Sequence, residues 1–224
     1  LNDPAYADEY HHNEAYYRAY MLKQVLMEDC GLQYNEQRMF DIDFSRSHDL
    51  FIHGLVPIEA GGNETLNGGT CVSMPVLYPA VGRRLGYPIK LVITEQHVFC
   101  RWDGRSASNP AYRERFNIET TSRGMAWLDD EYYLDWPKDI TKAQAEYRGY
   151  LESFTAAEEL AQFLASRGHC FDDNGRLSRA RQAYARAHRF DSDRQAYGAW
   201  LAQTEQELGI GANEFDPRAR GMPE

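Results

Sequence analysis

One cysteine stands where a glycine-rich loop meets an apolar helical pattern, and this junction constrains the fold more than any other stretch of the sequence. The loop, residues 57–70, contains four glycines and two asparagines. Residues 72–85 then predict a helix that ends at Gly86 and is kinked at Pro79. Cys71 lies at the start of that helix, where unpaired backbone N–H groups and the helix dipole favour the thiolate over the thiol.

A thiolate at this position has the chemistry of a nucleophile. The same N–H groups could stabilise the oxyanion that forms when a thiolate attacks a carbonyl group, and a loop of small residues would let a substrate backbone approach closely. The alternative is a buried cysteine that begins a helix and has no chemical role. The four cysteines contain no CxxC pair, so the sequence predicts neither a zinc site nor a disulfide framework: Cys30, Cys71, Cys100 and Cys170.

Three short strands are predicted after this helix, and an earlier helix is predicted before the loop. The strands are Ile89–Thr94, 97–102 and 115–119, with a polar hairpin loop between the last two. The earlier helix, residues 13–29, is indicated by apolar residues at intervals of four: Tyr17, Met21 and Val25. Helices followed by antiparallel strands predict an α+β fold, with the cysteine-bearing helix packed on the strands.

His97 is a candidate base for Cys71 because it opens the second predicted strand. Side chains alternate between the two faces of a strand, so His97 and Arg101 share one face while Cys100 points to the other. This alternation removes Cys100 as a competing thiol on the face of His97. The alternative for His97 is a structural histidine with no part in chemistry.

The third predicted strand offers a partner for the imidazole ring. Its apolar residues face one way, and Asn117 and Glu119 face the other. Either residue could accept the N–H of His97 and fix the useful tautomer of the ring. The alternative is a polar strand face that meets only solvent.

The segments GTCVSMPVLYPAVGRRLGYPIKLV, HVFCRW and FNIETT resemble the transglutaminase-like superfamily of papain-type cysteine enzymes. The resemblance covers residues 50–124. It implies that Cys71 is the nucleophile, that His97 is the general base and acid, and that Glu119 is the orienting carboxylate, with Asn117 as the other candidate for that third role. Two positions depart from the family pattern: Glu119 stands where Asp is usual, and HVF stands where HAW is usual.

From residue 155 onward the sequence predicts helices only. Three apolar stripes mark them, the first with Leu160, Phe163 and Leu164, the second with Leu177, Ala180, Tyr184 and Ala187, and the third with Tyr197, Trp200, Leu201, Thr204 and Leu208. This segment resembles a tetratricopeptide repeat at Gly168, Phe171, Gly175, Ala180, Tyr184 and Ala187, which implies a protein partner; Ser192 replaces the usual Pro. The alternative is a plain helical hairpin without a ligand.

We therefore expect a catalytic domain at 1–153, helices at 154–210 and a loosely ordered tail at 211–224.

Charge and hydropathy argue against two classes of partner. Lys and Arg number 24 against 34 Asp and Glu, a formal net charge of −10, whereas nucleic acids and anionic membranes require clustered basic residues. No apolar run approaches the roughly 20 residues that span a bilayer, and residues 1–10 lack the pattern of a signal peptide, so we expect a cytoplasmic protein.

We expect neither a cofactor nor a metal. The acidic run 129–131 is typical of a charged loop, or of a site for a cation or a basic substrate.

These features together predict a thiol-dependent acyl-transfer enzyme. Its substrate would be a peptide-like amide or ester, and either water or an amine would release the acyl group. The alternative is a non-catalytic protein in which the first domain is a scaffold and the C-terminal helices bind a partner.

Overall fold

The computed structural model describes residues 10–55, 68–122 and 126–210 of the chain. It divides into two compact units, Leu1–Thr155 and Ala156–Glu224. The first unit combines helices with a three-stranded antiparallel sheet, so the predicted α+β class is confirmed. The predicted loop from 57 to 67 and the predicted tail from 211 to 224 lie outside the described residues.

The first unit contains five α-helices and three strands within the described residues. The helices are α1 (Glu14–Gln24), α2 (Ser47–Leu50), α3 (Met74–Arg84), α4 (Tyr132–Asp135) and α5 (Lys142–Arg148). The strands are β1 (Ile89–Thr94), β2 (His97–Asp103) and β3 (Arg115–Ile118). Shorter helical segments are a π-helix at Val25–Asp29 and 3₁₀ turns at Glu36–Arg38, Ile52–Leu55 and Pro110–Tyr112.

Helix α1 begins where Asn13 accepts a hydrogen bond from the Ala15 N–H at 2.8 Å, which caps the helix. Together with the π-helix that follows, it covers the predicted helical range. The apolar stripe used to predict it is not the buried face, because Met21 and Val25 are 37% and 40% exposed. The face that packs inward is made of smaller and branched residues: Ala15, Ala19, Leu22 and Leu26.

Helix α3 carries a proline in its interior without ending there. Pro79 has no N–H, so the carbonyl of Pro75, four residues earlier, loses its helical donor. The Cys100 thiol on β2 donates to that carbonyl at 3.1 Å. This contact places α3 against one face of the sheet and gives Cys100 a structural role on the face opposite His97, as strand alternation predicts.

The sheet has the order β1-β2-β3, and both pairs are antiparallel. The predicted strands are therefore confirmed, with β3 ending at Ile118, one residue earlier than expected. Every residue of β2 is buried, because the strand is central and covered on both faces. The face opposite α3 bears an aromatic cluster that contains Phe99 and Tyr133.

The second unit consists of α6 (Ala156–Asp173), α7 (Leu177–Phe190) and α8 (Gln195–Glu207) within the described residues. The α7 stripe is buried at Ala180, Tyr184 and Ala187, whereas Leu160 of the predicted α6 stripe is 40% exposed. A Cβ atom at Gly168 would lie 2.3 Å from the ring of Tyr184, so a glycine is required where these helices cross. Within the described residues, none of the helices is both long and apolar enough to cross a bilayer.

Candidate active site

Cys71 lies in a turn that leads into α3, three residues before the regular helix begins at Met74. The Met74 N–H donates to the Thr70 carbonyl at 3.0 Å, so the chain already turns helically from Thr70. The Thr70 hydroxyl accepts from the Val72 N–H at 3.1 Å, and Ser73 Oγ accepts from the Thr70 N–H at 3.0 Å. This reciprocal pair resembles a capping box and fixes the backbone on both sides of Cys71.

The two glycines before Thr70 serve packing within the protein. Gly68 has φ +68°, and a Cβ atom there would lie 2.9 Å from the backbone nitrogen of Asn35. The backbone of Gly69 donates to the Gln33 carbonyl at 2.7 Å and accepts from the Asn35 N–H at 2.8 Å. At these two glycines the chain itself makes the close approach: the segment 33–35 at Gly68, and the side chains of Met74 and Leu55 at Gly69.

His97 opens β2, as predicted, and its ring connects the cysteine with the carboxylate. His97 Nε2 and Glu119 Oε2 are 2.9 Å apart, and the ring also hydrogen-bonds to the Cys71 side chain. Because Nε2 is engaged by Glu119, Nδ1 is the ring nitrogen left for the sulfur. All three side chains come from residues that are only 4% exposed.

The charges of this cluster support one another. Burial alone would lower the pKa of His97, but the hydrogen bonds to Cys71 and Glu119 and the negative charges of both raise the pKa above its ordinary value. Burial alone would raise the pKa of Glu119, but the hydrogen bond and positive charge of His97, with further hydrogen bonds from Thr121, lower it. The arrangement therefore favours an imidazolium paired with the Glu119 carboxylate.

The carboxylate of Glu119 is held by four hydrogen bonds. Oε2 accepts from His97 and from the Tyr133 hydroxyl, the latter at 2.9 Å. Oε1 accepts from the N–H and the hydroxyl of Thr121 at 2.8 and 2.6 Å. Each oxygen of this buried carboxylate accepts two hydrogen bonds, so the carboxylate has one fixed orientation. It can therefore hold the imidazole in place.

Aromatic rings fix the plane of the imidazole. The ring of Trp136 meets His97 edge-on with 4.7 Å between centroids. Tyr133 stacks on Phe99 at 3.8 Å, and the His97 ring lies nearly parallel to both. This packing restricts rotation of the imidazole away from its two partners.

Asn117, the other candidate third member, does not lie beside His97. The β2–β3 register pairs it with Arg101, whose Nε donates to Asn117 Oδ1 at 2.7 Å. Its amide nitrogen donates to Leu128 O and Asp130 Oδ1, both at 2.9 Å. Asn117 therefore satisfies a buried arginine, and periodicity along one strand could not reveal this because it carries no information about register.

Lys23 of α1 is a residue near the site that sequence reasoning missed. Its Nζ donates to the Glu119 carbonyl and to Ser122 Oγ, both at 2.8 Å. Burial lowers the pKa of Lys23 to about 8, although the charge of Glu119 opposes that shift. Lys23 thus holds the backbone turn from which the carboxylate projects. A lysine next to Leu22 on a helix gives no sequence signal for this long-range contact.

The acidic run 129–131 is engaged within the protein. Asp130 pairs with Arg101 and with Arg115, Asp129 accepts from the Tyr132 N–H at 2.9 Å, and Glu131 pairs with Lys142 at 3.0 Å. These contacts fit a charged loop rather than a site for a cation or a basic substrate. Across residues 10–55, 68–122 and 126–210, no group of three His, Cys, Asp or Glu side chains could hold a metal ion.

The assembled groups are a thiol, an imidazole and an ionised carboxylate in hydrogen-bonded sequence. That sequence can generate a nucleophilic thiolate and can move a proton to or from a leaving group. The chain matches no protein-family model, and no curated protein or solved structure is significantly similar to it.

Proposed function

We propose that this protein is a thiol-dependent acyl-transfer enzyme in which Cys71, His97 and Glu119 form the catalytic triad. One observation carries the proposal: the buried imidazole of His97 is hydrogen-bonded both to a cysteine and to an ionised carboxylate. A histidine that only fills space in a core needs neither partner. The three residues come from three separate segments of the chain, so local sequence does not account for their meeting.

In the proposed reaction the Cys71 thiolate attacks the carbonyl carbon of an amide or ester. The C–S bond forms, and the π electron pair of the carbonyl moves to its oxygen. When the intermediate collapses, the bond to the leaving group breaks, and the His97 imidazolium gives its proton to that group. A second nucleophile, water or an amine, then gives a proton to His97, attacks the thioester and releases the thiolate.

Glu119 has two roles in this proposal. It holds the ring so that Nδ1 faces the sulfur, and its negative charge stabilises the imidazolium during the reaction. The order of the elements also supports the resemblance to the transglutaminase-like superfamily: a cysteine before a helix, a histidine at the start of a strand, and an acidic residue after the next strand. Glutamate in place of the usual aspartate fits because the carboxylate spans a diagonal across two strands.

The test uses 4-nitrophenyl acetate as an activated acyl donor for the full chain. We expect acetylation of Cys71, detected by peptide mass mapping, together with catalytic release of 4-nitrophenolate. Cys71→Ser should abolish the release, whereas Cys30→Ser, which alters an exposed cysteine, should leave it unchanged. Adding a primary amine distinguishes transamidation, which yields the acetylated amine, from hydrolysis, which yields acetate.

A protein in which Cys71 is acetylated no faster than Cys30 would contradict the proposal. That outcome would favour the non-catalytic alternative, in which the first unit is a scaffold and the second binds a partner.

A further inference from the structure

The residue with the proposed orienting carboxylate lies just beyond the end of the sheet. The regular pairing of β3 with β2 ends at Ile118, and Glu119 is the next residue. The Glu119 carboxylate binds its own turn, since Oε1 accepts from the N–H and the hydroxyl of Thr121 at 2.8 and 2.6 Å. The direction of the carboxylate toward His97 therefore depends on how this turn, residues 119–122, is held.

Lys23 of α1 binds both ends of this turn. Its Nζ donates to the Glu119 carbonyl and to Ser122 Oγ, both at 2.8 Å. Ser122 Oγ also donates to the same carbonyl at 3.3 Å, so the ammonium group, the hydroxyl and the carbonyl contact one another in a closed triangle. The anchor of the turn is thus a helix that lies 96 residues earlier in the sequence.

Stability alone does not explain an ammonium group at this position. Lys23 is 3% exposed, and it lies one helical turn after Ala19, which is fully buried. Burial of a charged group is unfavourable, and an apolar side chain of similar volume in its place is often equally stable or more stable. At this burial the ammonium group does not reach a substrate, and its acceptors belong to the turn that carries Glu119.

We infer that Lys23 is a positioning residue of the proposed active site: by tying the turn 119–122 to α1, its ammonium group keeps the Glu119 carboxylate within hydrogen-bond reach of His97. The inference rests on the proposed acyl-transfer function and adds a residue to it. Lys23 makes no bond to the reacting atoms and transfers no proton. It acts through Glu119, whose Oε2 lies 2.9 Å from His97 Nε2.

Two effects of the ammonium group on His97 have opposite signs, so an experiment can separate them. A positive charge by itself lowers the pKa of a nearby imidazole. A carboxylate held beside the imidazole raises that pKa, and the hydrogen bond and charge of Glu119 do so for His97. If Lys23 positions Glu119, removal of the ammonium group lowers the pKa of His97. If Lys23 acts only through its charge, removal raises the pKa.

The test is Lys23→Met in the full chain, which keeps an unbranched side chain and removes the charge. Imidazole NMR of histidine-labelled protein, assigned with His97→Gln, follows the titration of His97. We expect Lys23→Met to lower the pKa of His97 by about one unit. Turnover of 4-nitrophenyl acetate per folded molecule should fall by on the order of 10-fold, because small displacements of a catalytic group are costly.

The matched control is Lys142→Met, which removes an ammonium group from α5. The Lys142 side chain is 71% exposed, so the substitution should change neither the pKa of His97 nor turnover.

Ser122→Ala is a second variant of the same turn. It keeps the ammonium group and its charge and removes the hydroxyl that Lys23 binds. Only a loss of positioning can then act on His97, so its pKa should again fall, by less than in Lys23→Met. Ser122→Ala decides the question if melting temperatures show that Lys23→Met does not fold. An unchanged pKa of His97 in folded Ser122→Ala would then overturn the inference.

The outcomes separate the inference from the proposed function. A pKa of His97 that rises in Lys23→Met means that the lysine acts through its charge alone, and an unchanged pKa means that its role is only structural. Either result overturns the inference and leaves the triad in place. If Cys71 of the unmodified protein is not acetylated faster than Cys30, the proposed function itself fails, while the titration of His97, which needs no turnover, still decides whether Lys23 positions Glu119.

Discussion

Glu119 lies diagonally across the β2–β3 pair from His97, and the two side chains meet with 2.9 Å between Oε2 and Nε2. Extending the register from Cys100↔Ile118 sets Glu119 opposite Phe99, two residues from His97. Diagonal neighbours on adjacent strands are within reach of long side chains. Glutamate is longer than aspartate by one methylene, and the extra length spans this diagonal.

Glu119→Gln should lower turnover of an activated ester by on the order of 10²-fold or more. The amide has no charge to stabilise the imidazolium, and its single oxygen cannot replace both carboxylate oxygens, each of which accepts two hydrogen bonds. Turnover should be measured per folded molecule, with melting temperature as the control for folding.

Asn117→Ala is the matched comparison on the same strand. It leaves the Nε of buried Arg101 without its acceptor, which should cost about 1–3 kcal/mol of unfolding free energy. Its effect on turnover per folded molecule should be much smaller than that of Glu119→Gln. A larger loss of turnover in well-folded Asn117→Ala would show that Glu119 is not the orienting residue.

Two glycines with positive φ give a test of how the 33–35 segment is held. Gly68→Ala should cost about 1–2 kcal/mol for the left-handed backbone, and more because its Cβ atom would lie 2.9 Å from the Asn35 nitrogen. Gly86 has φ +77°, and a Cβ atom there would have no neighbour within 4 Å. Gly86→Ala should therefore lower the unfolding free energy only by the cost of the left-handed backbone. Chemical denaturation of both variants measures the difference, and equal costs would mean that the close approach at Gly68 is relaxed in solution.

The strands and the cysteine turn could be predicted because each depends on local patterns. The alternation in β2 separates His97 from Cys100, and the Gly-Thr-Cys sequence indicates a chain turn before a helix. Contacts between distant segments could not be predicted in the same way. The role of Gly68 depends on the close approach of the 33–35 segment, which is far away in sequence and is joined to Gly69 by the backbone bridge of Tyr34.

The partners of Asn117 and Lys23 illustrate the same limit. Asn117 and Glu119 share one face of a strand, and only the register with β2 decides that one meets Arg101 and the other meets His97. The contact of Lys23 was not predicted, because a helical pattern does not show which distant part of the chain the helix packs against. Its acceptor is the carbonyl of Glu119. The surroundings of the proposed site are thus fixed by tertiary contacts, whereas Cys71 and His97 could be singled out from the sequence alone.

The His97–Glu119 pair should make stability depend on pH in a defined direction. The pKa of His97 is raised in the folded protein, so its contribution to stability is complete below the unfolded value of about 6.5 and is lost as the pH rises through the folded value. The pKa of Glu119 is lowered, so its contribution is present above the unfolded value of about 4.3 and is lost as the pH falls through the folded value. The unmodified protein should therefore exceed Glu119→Gln in stability by the largest margin between about pH 4.3 and about pH 6.5. Melting temperatures of both proteins from pH 3 to 10 measure it, and a constant difference over that range would contradict the pairing.

The reactivity of the four cysteines offers the most direct test of the site, because exposure and activation predict opposite orders. Cys30 is exposed, Cys170 is intermediate, and Cys71 and Cys100 are buried, so exposure alone predicts that Cys30 reacts first. An ordinary thiol is only a few per cent ionised near pH 7, whereas the proposed role of His97 is to take the proton of Cys71 and so make it the more reactive thiol.

We therefore expect iodoacetamide at pH 6 to 7 to label Cys71 faster than the other three cysteines, as resolved by peptide mapping. His97→Gln should remove this preference, because the imidazolium is lost, while the rate at Cys30 stays the same. His53→Gln, which changes an exposed histidine of a different segment, serves as the control and should leave both rates unaltered. Labelling that follows exposure, with Cys30 ahead of Cys71 in the unmodified protein, would mean that the contact with His97 does not activate the thiol.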